Sequence, residues 1–186
     1  MKNLVYFFLL VLLSNCSSKI NISQQQDKVS VYDYLKSKGV VNNNVVVVKD
    51  YEEYKKLSRA GVLVIPEVTF FDGKGDLIEY KNIKKECSQD PYFFIKNYNK
   101  GKQLKFSKTV KLDMFASSYI NLNDGSSINL TDKNKIYVFI NWAIFTDKLN
   151  KDSFNLLAIN NNDFIYILID LDVQKAWNIP NKPNKK

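Results

Sequence analysis

The sequence predicts an α/β domain in which helices cover a mixed central sheet. Three apolar runs carry this prediction: Val45–Val48, residues 135–143 and residues 164–171. Each run is continuous rather than alternating, as in strands that are buried on both faces of a sheet. Amphipathic helical patterns lie between the runs, and a strand buried on both faces needs helices to cover it. We therefore expect one α/β sandwich at residues 29–178.

In the first half of this domain, helices are predicted at residues 31–38, 51–60 and 88–98, and strands at Val45–Val48 and at residues 62–71 and 77–80. Asp50 is the predicted N-cap of the second helix, and Glu53 follows three residues later as in a capping box. Pro91 suits the first turn of the third helix. The glycine-containing turn at residues 72–76 joins two of the strands into a hairpin.

In the second half, strands are predicted at residues 110–115, 135–143 and 164–171, and a helix at residues 150–157. The pair Asp124 and Gly125, within residues 121–130, is typical of a second hairpin. Helical and strand patterns thus alternate along the whole domain, which is the order expected of an α/β sandwich.

The first residues of the chain predict export. A lysine near the start and a ten-residue apolar run at residues 4–13 have the layout of a secretory signal peptide. Ten helical residues span roughly 15 Å, half of the ~30 Å hydrocarbon core, so this run is too short to cross a bilayer. The residues that close it, Leu13, Ser14, Asn15 and Cys16, resemble the lipobox of bacterial lipoproteins.

This resemblance implies a lipoprotein signal peptide at residues 1–15 and a lipid on Cys16 that anchors the chain to a membrane. Residues 16–28 are polar and predict a tether between the lipid and the domain. Residues 179–186 are interrupted by proline and rich in lysine, which predicts a disordered basic tail.

Composition excludes several classes of function. The chain has no histidine and only two cysteines, Cys16 and Cys87, which excludes a histidine-based triad, a histidine-ligated metal and a multi-disulfide framework. The 27 basic residues exceed the 19 acidic ones, a net charge of +8, but Arg59 is the only arginine and the lysines are dispersed. Nucleic-acid binding is therefore not expected.

No metal or cofactor site is expected either. Glycines 73 and 75 precede a predicted strand rather than a helix, so they do not form a phosphate-binding loop. Asp170 and Asp172 stand at a strand end, where a hard cation could bind, but strand alternation alone places both carboxylates on one face. A hairpin turn explains the acidic residues of the 72–76 turn.

Two segments resemble parts of the thioredoxin-like fold. Residues 65–78 resemble its second half, in which a cis-proline precedes a strand, a turn with Asp and Gly, and the last strand. This resemblance implies that Pro66 is a cis-proline. Residues 136–143, which end in Trp142 and Ala143, resemble the strand of periplasmic TlpA-type proteins that leads to the redox Cys-x-x-Cys.

The second resemblance places Thr146 and Leu149 where the two redox cysteines would stand. The two segments also occur in reversed order along the chain. The chain is therefore a rearranged thioredoxin-like domain, a pair of degenerate halves, or another α/β fold that shares these pieces.

The sequence predicts a non-enzymatic lipoprotein of the bacterial cell envelope, similar to those of Bacteroidota, that binds a protein or peptide partner. Because Ser17, Ser18 and Lys19 are not acidic, we expect the periplasmic face of the outer membrane. The alternative is a thiol-dependent redox accessory protein that uses Cys87. A thioredoxin-type reaction needs a second thiol to resolve the mixed disulfide, and none remains if Cys16 carries lipid.

Overall fold

The computed structural model describes residues 25–41, 44–81, 90–101 and 103–179. The strands are β1 (Val45–Val48), β2 (Glu67–Phe71), β3 (Asp76–Ile78), β4 (Phe106–Lys111), β5 (Tyr119–Asn121), β6 (Ile136–Trp142) and β7 (Phe164–Asp170). The helices are α1 (Lys28–Ser37), α2 (Tyr51–Arg59), α3 (Asp90–Lys96), α4 (Leu112–Ala116) and α5 (Asp147–Asn155). Single 3-10 turns at Ile144–Thr146, Leu156–Ala158 and Lys175–Trp177 complete the described elements.

The seven strands form one mixed sheet in the order β4-β3-β2-β6-β7-β1-β5. The three central strands, β6, β7 and β1, are parallel to one another, and the outer strands are added in antiparallel pairs. Every residue of β1 and β6 is buried. The predicted α/β class and the mixed sheet are confirmed, because all the long apolar runs lie in this one sheet.

Helices cover both faces of the sheet. On one face, Val31 and Leu35 of α1, Ile95 of α3 and Phe154 of α5 pack against the sheet, with Trp142 among the fully buried side chains. On the other face, α2 and α4 pack their apolar side chains against Phe71, Phe139 and Ile169 and other residues of the sheet. The two clusters follow the alternation of side chains along each strand.

Local signals explain where the helices begin. The Asp27 carboxylate accepts a hydrogen bond from the backbone N–H of Ser30 at 2.9 Å, and the Ser30 hydroxyl accepts one from the backbone N–H of Asp27 at 2.9 Å, so a reciprocal capping box opens α1. Asp50 caps α2 through the N–H of Glu53 at 2.8 Å. The predicted box at α2 is only half formed, because the Glu53 carboxylate pairs with Lys56 and Ser118 instead.

Several predicted boundaries are corrected. The strand predicted at residues 110–115 ends at Lys111, and the next five residues form α4, because Leu112 and Phe115 stand one helical turn apart and face the same cluster. The predicted hairpin at Asp124 and Gly125 is reduced to a single bridge between Ile120 and Ser127. Helices α1 and α5 each begin three residues before the predicted start.

The hairpin of β2 and β3 is confirmed, with Phe71 opposite Leu77. Its turn depends on Asp72, whose carboxylate accepts hydrogen bonds from the N–H groups of Lys74 and Asp76. The signal peptide, Cys16, Cys87 and all but the first residue of the basic tail lie outside the described residues.

Candidate functional site

The candidate site lies where β6 ends and β2 begins. These strands are antiparallel neighbours, with Glu67 opposite Asn141, so the loop before β2 reaches the residues after Trp142. The Asn141 side-chain amide donates a hydrogen bond to the Val64 carbonyl at 3.0 Å and ties this loop to β6. The two segments that resemble the thioredoxin-like fold are thus direct neighbours in the sheet.

The loop before β2 presents free backbone groups. The Ile65–Pro66 peptide bond is cis. The Ile65 side chain packs against the cluster that includes Phe139. Within the described part of the chain, neither the N–H nor the carbonyl of Ile65 has a hydrogen-bond partner. The loop is therefore held by the Ile65 side chain and by the bond from Asn141 to the Val64 carbonyl, while the Ile65 backbone groups remain without a partner among the described residues.

A cavity of about 410 Å³ lies beside Pro66. Leu149, on the first turns of α5, lines the same cavity, and its side chain is 49% exposed. The remaining lining residues are Glu67, Val68, Tyr80, Lys81, Pro91, Asp152, Ser153 and Leu156. The cavity is therefore mainly apolar with a charged rim, on which Glu67 and Lys81 form an ion pair at 2.6 Å.

Thr146 does not line this cavity. Its hydroxyl lies 2.9 Å from the Ala143 carbonyl and 3.0 Å from the Asn150 side-chain oxygen, so it belongs to the turn that opens α5. The resemblance would place redox cysteines at positions 146 and 149. Of these, Leu149 lines the same cavity as Pro66, whereas the Thr146 hydroxyl bonds within the turn before α5.

A buried polar network fixes the start of α5. The Asn150 side chain is 1% exposed, and its amide donates to the Ala143 carbonyl and to the Tyr34 hydroxyl, both at 2.8 Å. The Tyr34 hydroxyl in turn donates to Asp147 at 2.7 Å, and its ring stacks on Trp142 at 5.5 Å. Burial raises the pKa of Tyr34 to about 12, so it remains a hydrogen-bond donor at neutral pH.

The sequence did not reveal this network, because Tyr34 and Asn150 are 116 residues apart in the chain. Asp147, which also pairs with Lys38 at 2.6 Å, has its pKa lowered by that lysine and by the Tyr34 hydroxyl.

Two buried carboxylates lie below the same turn. Asp172 accepts a hydrogen bond from the N–H of Ile144 at 2.6 Å. Asp170 accepts from the N–H of Asp172 and from the side chain of Gln174, both at 2.9 Å. Burial, followed by the neighbouring charge of Asp172, raises the pKa of Asp170 well above its usual range, and burial also raises the pKa of Asp172.

Asp172 thus holds the turn at Ile144, and neither of the two carboxylates lines the cavity. Among the residues that the structure describes, no group of three or more Asp, Glu, Cys or His side chains is arranged to hold a metal ion. None of the described helices has the length and apolar character needed to cross a bilayer.

Comparison of the chain with protein-family models, curated proteins and solved structures gave no match.

Proposed function

We propose that the chain is a bacterial envelope lipoprotein, anchored by lipid on Cys16, whose non-catalytic, rearranged thioredoxin-like domain binds an extended segment of a protein partner. Its place is the periplasmic face of the outer membrane. The observation that carries the binding function is that Pro66 and Leu149 line one cavity.

The arrangement of β2 and β6 supports the rearranged fold. By the resemblance to the thioredoxin-like fold, residues 65–78 supply the cis-proline and the strand after it, and residues 136–143 supply the strand before the redox motif. Here β2 and β6 are adjacent, although the cis-proline piece comes first in the chain. The reversed order in sequence is therefore compatible with one shared site, since sheet neighbours need not be sequential.

An extended peptide fits this site physically. The free N–H and carbonyl of Ile65 can pair with peptide backbone, as in recognition by strand addition, while the apolar cavity takes one side chain. Thr146 and Leu149 can neither form nor resolve a mixed disulfide, so a peptide bound there is held rather than reduced.

Peptide binding can be tested with a library of extended fluorescent peptides and the purified full chain in detergent. Leu149→Lys places a charge in the apolar cavity and should weaken the binding of selected peptides at least tenfold. Met114→Lys is the matched control, because Met114 is also an exposed apolar helix residue, 59% exposed, and does not line this cavity. Equal affinities for the two variants would contradict the proposed site.

The alternative function depends on Cys87, which lies outside the described residues. Lys81 and Pro91, the described residues nearest to that stretch that line the cavity, are the observation that bears on it. Insulin reduction by dithiothreitol separates the two functions. The proposed function requires that wild type and Cys87→Ser leave the rate unchanged, whereas acceleration that Cys87→Ser abolishes would favour the redox alternative.

A further inference from the structure

We propose that the cavity beside Pro66 lies at the membrane-facing end of the domain, and that its occupant is the membrane-proximal segment of another protein anchored in the same bilayer. This inference rests on the proposed lipid anchor and peptide site. It adds the direction that the site faces and the class of partner it can reach.

The N-terminal segment is fixed to the domain at one defined place. The N–H of Gln26 donates to the Val173 carbonyl, and the Gln26 carbonyl accepts from the N–H of Lys175, both at 2.8 Å. Gln26 thereby forms a parallel bridge with Gln174, just after β7. An ion pair between Asp27 and Lys175 at 2.6 Å adds to this attachment. The chain between Cys16 and Gln26 therefore has to leave from this point.

This attachment and the cavity lie at the same end of the sheet. Trp142, at the end of β6, is opposite Asp170, at the end of β7, and Val173 follows three residues later. Pro66 precedes Glu67, which is opposite Asn141 on the other side of β6. Since neighbouring strands are about 4.8 Å apart, the strands that carry the two features are separated by only about 10 Å across the sheet.

The length of the tether limits how far this end can move from the bilayer. Gln26 is ten residues after Cys16. Ten residues reach at most about 35 Å even when fully extended. The opposite end of the sheet lies farther away by the length of β6, whose seven residues span about 23 Å. A segment close to the same bilayer is therefore the partner that the cavity meets at the highest effective concentration.

Site-specific photo-crosslinking in membranes tests this inference on the full chain. A photoreactive benzoylphenylalanine replaces Leu149 in the cavity or, as the control, Met114 outside it. Each variant is made with the native tether and with forty Gly/Ser residues inserted between Ser23 and Gln24. Lengthening the tether fivefold should lower the adduct yield from position 149 by roughly tenfold, because effective concentration falls with about the 3/2 power of length.

We expect adducts at position 149 with a protein that remains in the membrane fraction. At position 114, lengthening the tether should not lower the adduct yield to a comparable extent. Adducts whose yield is the same with both tethers, or that contain only soluble proteins, would overturn the inference and leave peptide binding standing. If position 149 gives no adduct with either tether while the chain stays in the membrane fraction, the proposed peptide site itself fails.

Discussion

At the scale of single residues, the protein buries the carboxyl group of Asp170 where its charged form is unfavourable. Asp170 is 1% exposed and shares its surroundings with Asp172. Burial raises its pKa far above the value of 3.8 that an Asp has in an unfolded chain. Between those two pKa values the unfolded state binds fewer protons, so the free energy of unfolding falls as the pH rises.

Asp170→Asn should reduce this pH dependence, because the Asn side chain does not titrate. An Asn oxygen can still accept from the N–H of Asp172, while its amide replaces the oxygen that accepts from Gln174, so the Gln174 side chain has to turn its own amide oxygen toward it. We expect the variant to lose less stability than wild type between pH 5 and pH 8. Urea unfolding at several pH values measures this slope. Asp33→Asn, at an exposed carboxylate of α1, should keep the wild-type slope; a wild-type slope in Asp170→Asn would refute the assignment.

Gly73 illustrates a second residue-scale constraint, in which close approach of the backbone excludes any side chain. A Cβ at this position would overlap the carbonyl of Lys133, a backbone group that cannot turn away. Gly73→Ala should therefore lower the free energy of unfolding by about 1–3 kcal/mol in urea denaturation. Gly101→Ala, whose Cβ would meet only the Asn99 side chain at 3.7 Å, should be close to neutral.

At the scale of elements, the strands that are buried on both faces of the sheet are the ones the sequence predicts best. The runs that became β1, β6 and β7 were recognisable because they are almost entirely apolar; their polar residues, Asn141 and Asp170, lie at or next to the last position of β6 and β7. Helix α4 was missed because five residues hold too little periodicity to distinguish a helical turn from the end of a strand. The order of the strands could not be derived, since pairing of β2 with β6 joins residues about seventy positions apart.

The candidate site was predictable in part for the same reason. Pro66 and Leu149 were singled out by local patterns, but their meeting in one cavity depends on that distant pairing. The network of Tyr34 and Asn150 has no sequence motif at all. Only the fold brings a hydroxyl from α1 to an amide on α5.

Asn150→Ala tests how firmly this network holds α5. The change leaves the Ala143 carbonyl and the Tyr34 hydroxyl each without one buried partner, which should cost about 1–3 kcal/mol of unfolding free energy. Asn155→Ala, at an exposed position of the same helix, provides the control and should change stability little. Urea unfolding of both variants compares them; similar values would mean that packing of α5, rather than the network, positions the helix.

At the scale of the whole molecule, the attachment of the N-terminal segment and the candidate cavity lie at one end of the domain. The attachment of Gln26 beyond β7 and the cavity between β2 and α5 both belong to the end of the sheet where β6 stops. A lipid on Cys16 would thereby control not only where the protein resides but also which surface it presents. The proposed anchor is thus part of the binding geometry.

Cys16→Ala should release the protein from the membrane fraction. The apolar run at residues 4–13 is too short to span a bilayer, so the proposed acyl chains, at about 0.8 kcal/mol for each buried methylene, supply the attachment. Cell fractionation with mass spectrometry of the N-terminus measures both location and modification. Cys87→Ala is the matched control and should stay with the membranes, because it removes the other cysteine and leaves the lipobox intact. Membrane retention of Cys16→Ala, with an unmodified N-terminus in wild type, would show that something other than lipid holds the chain.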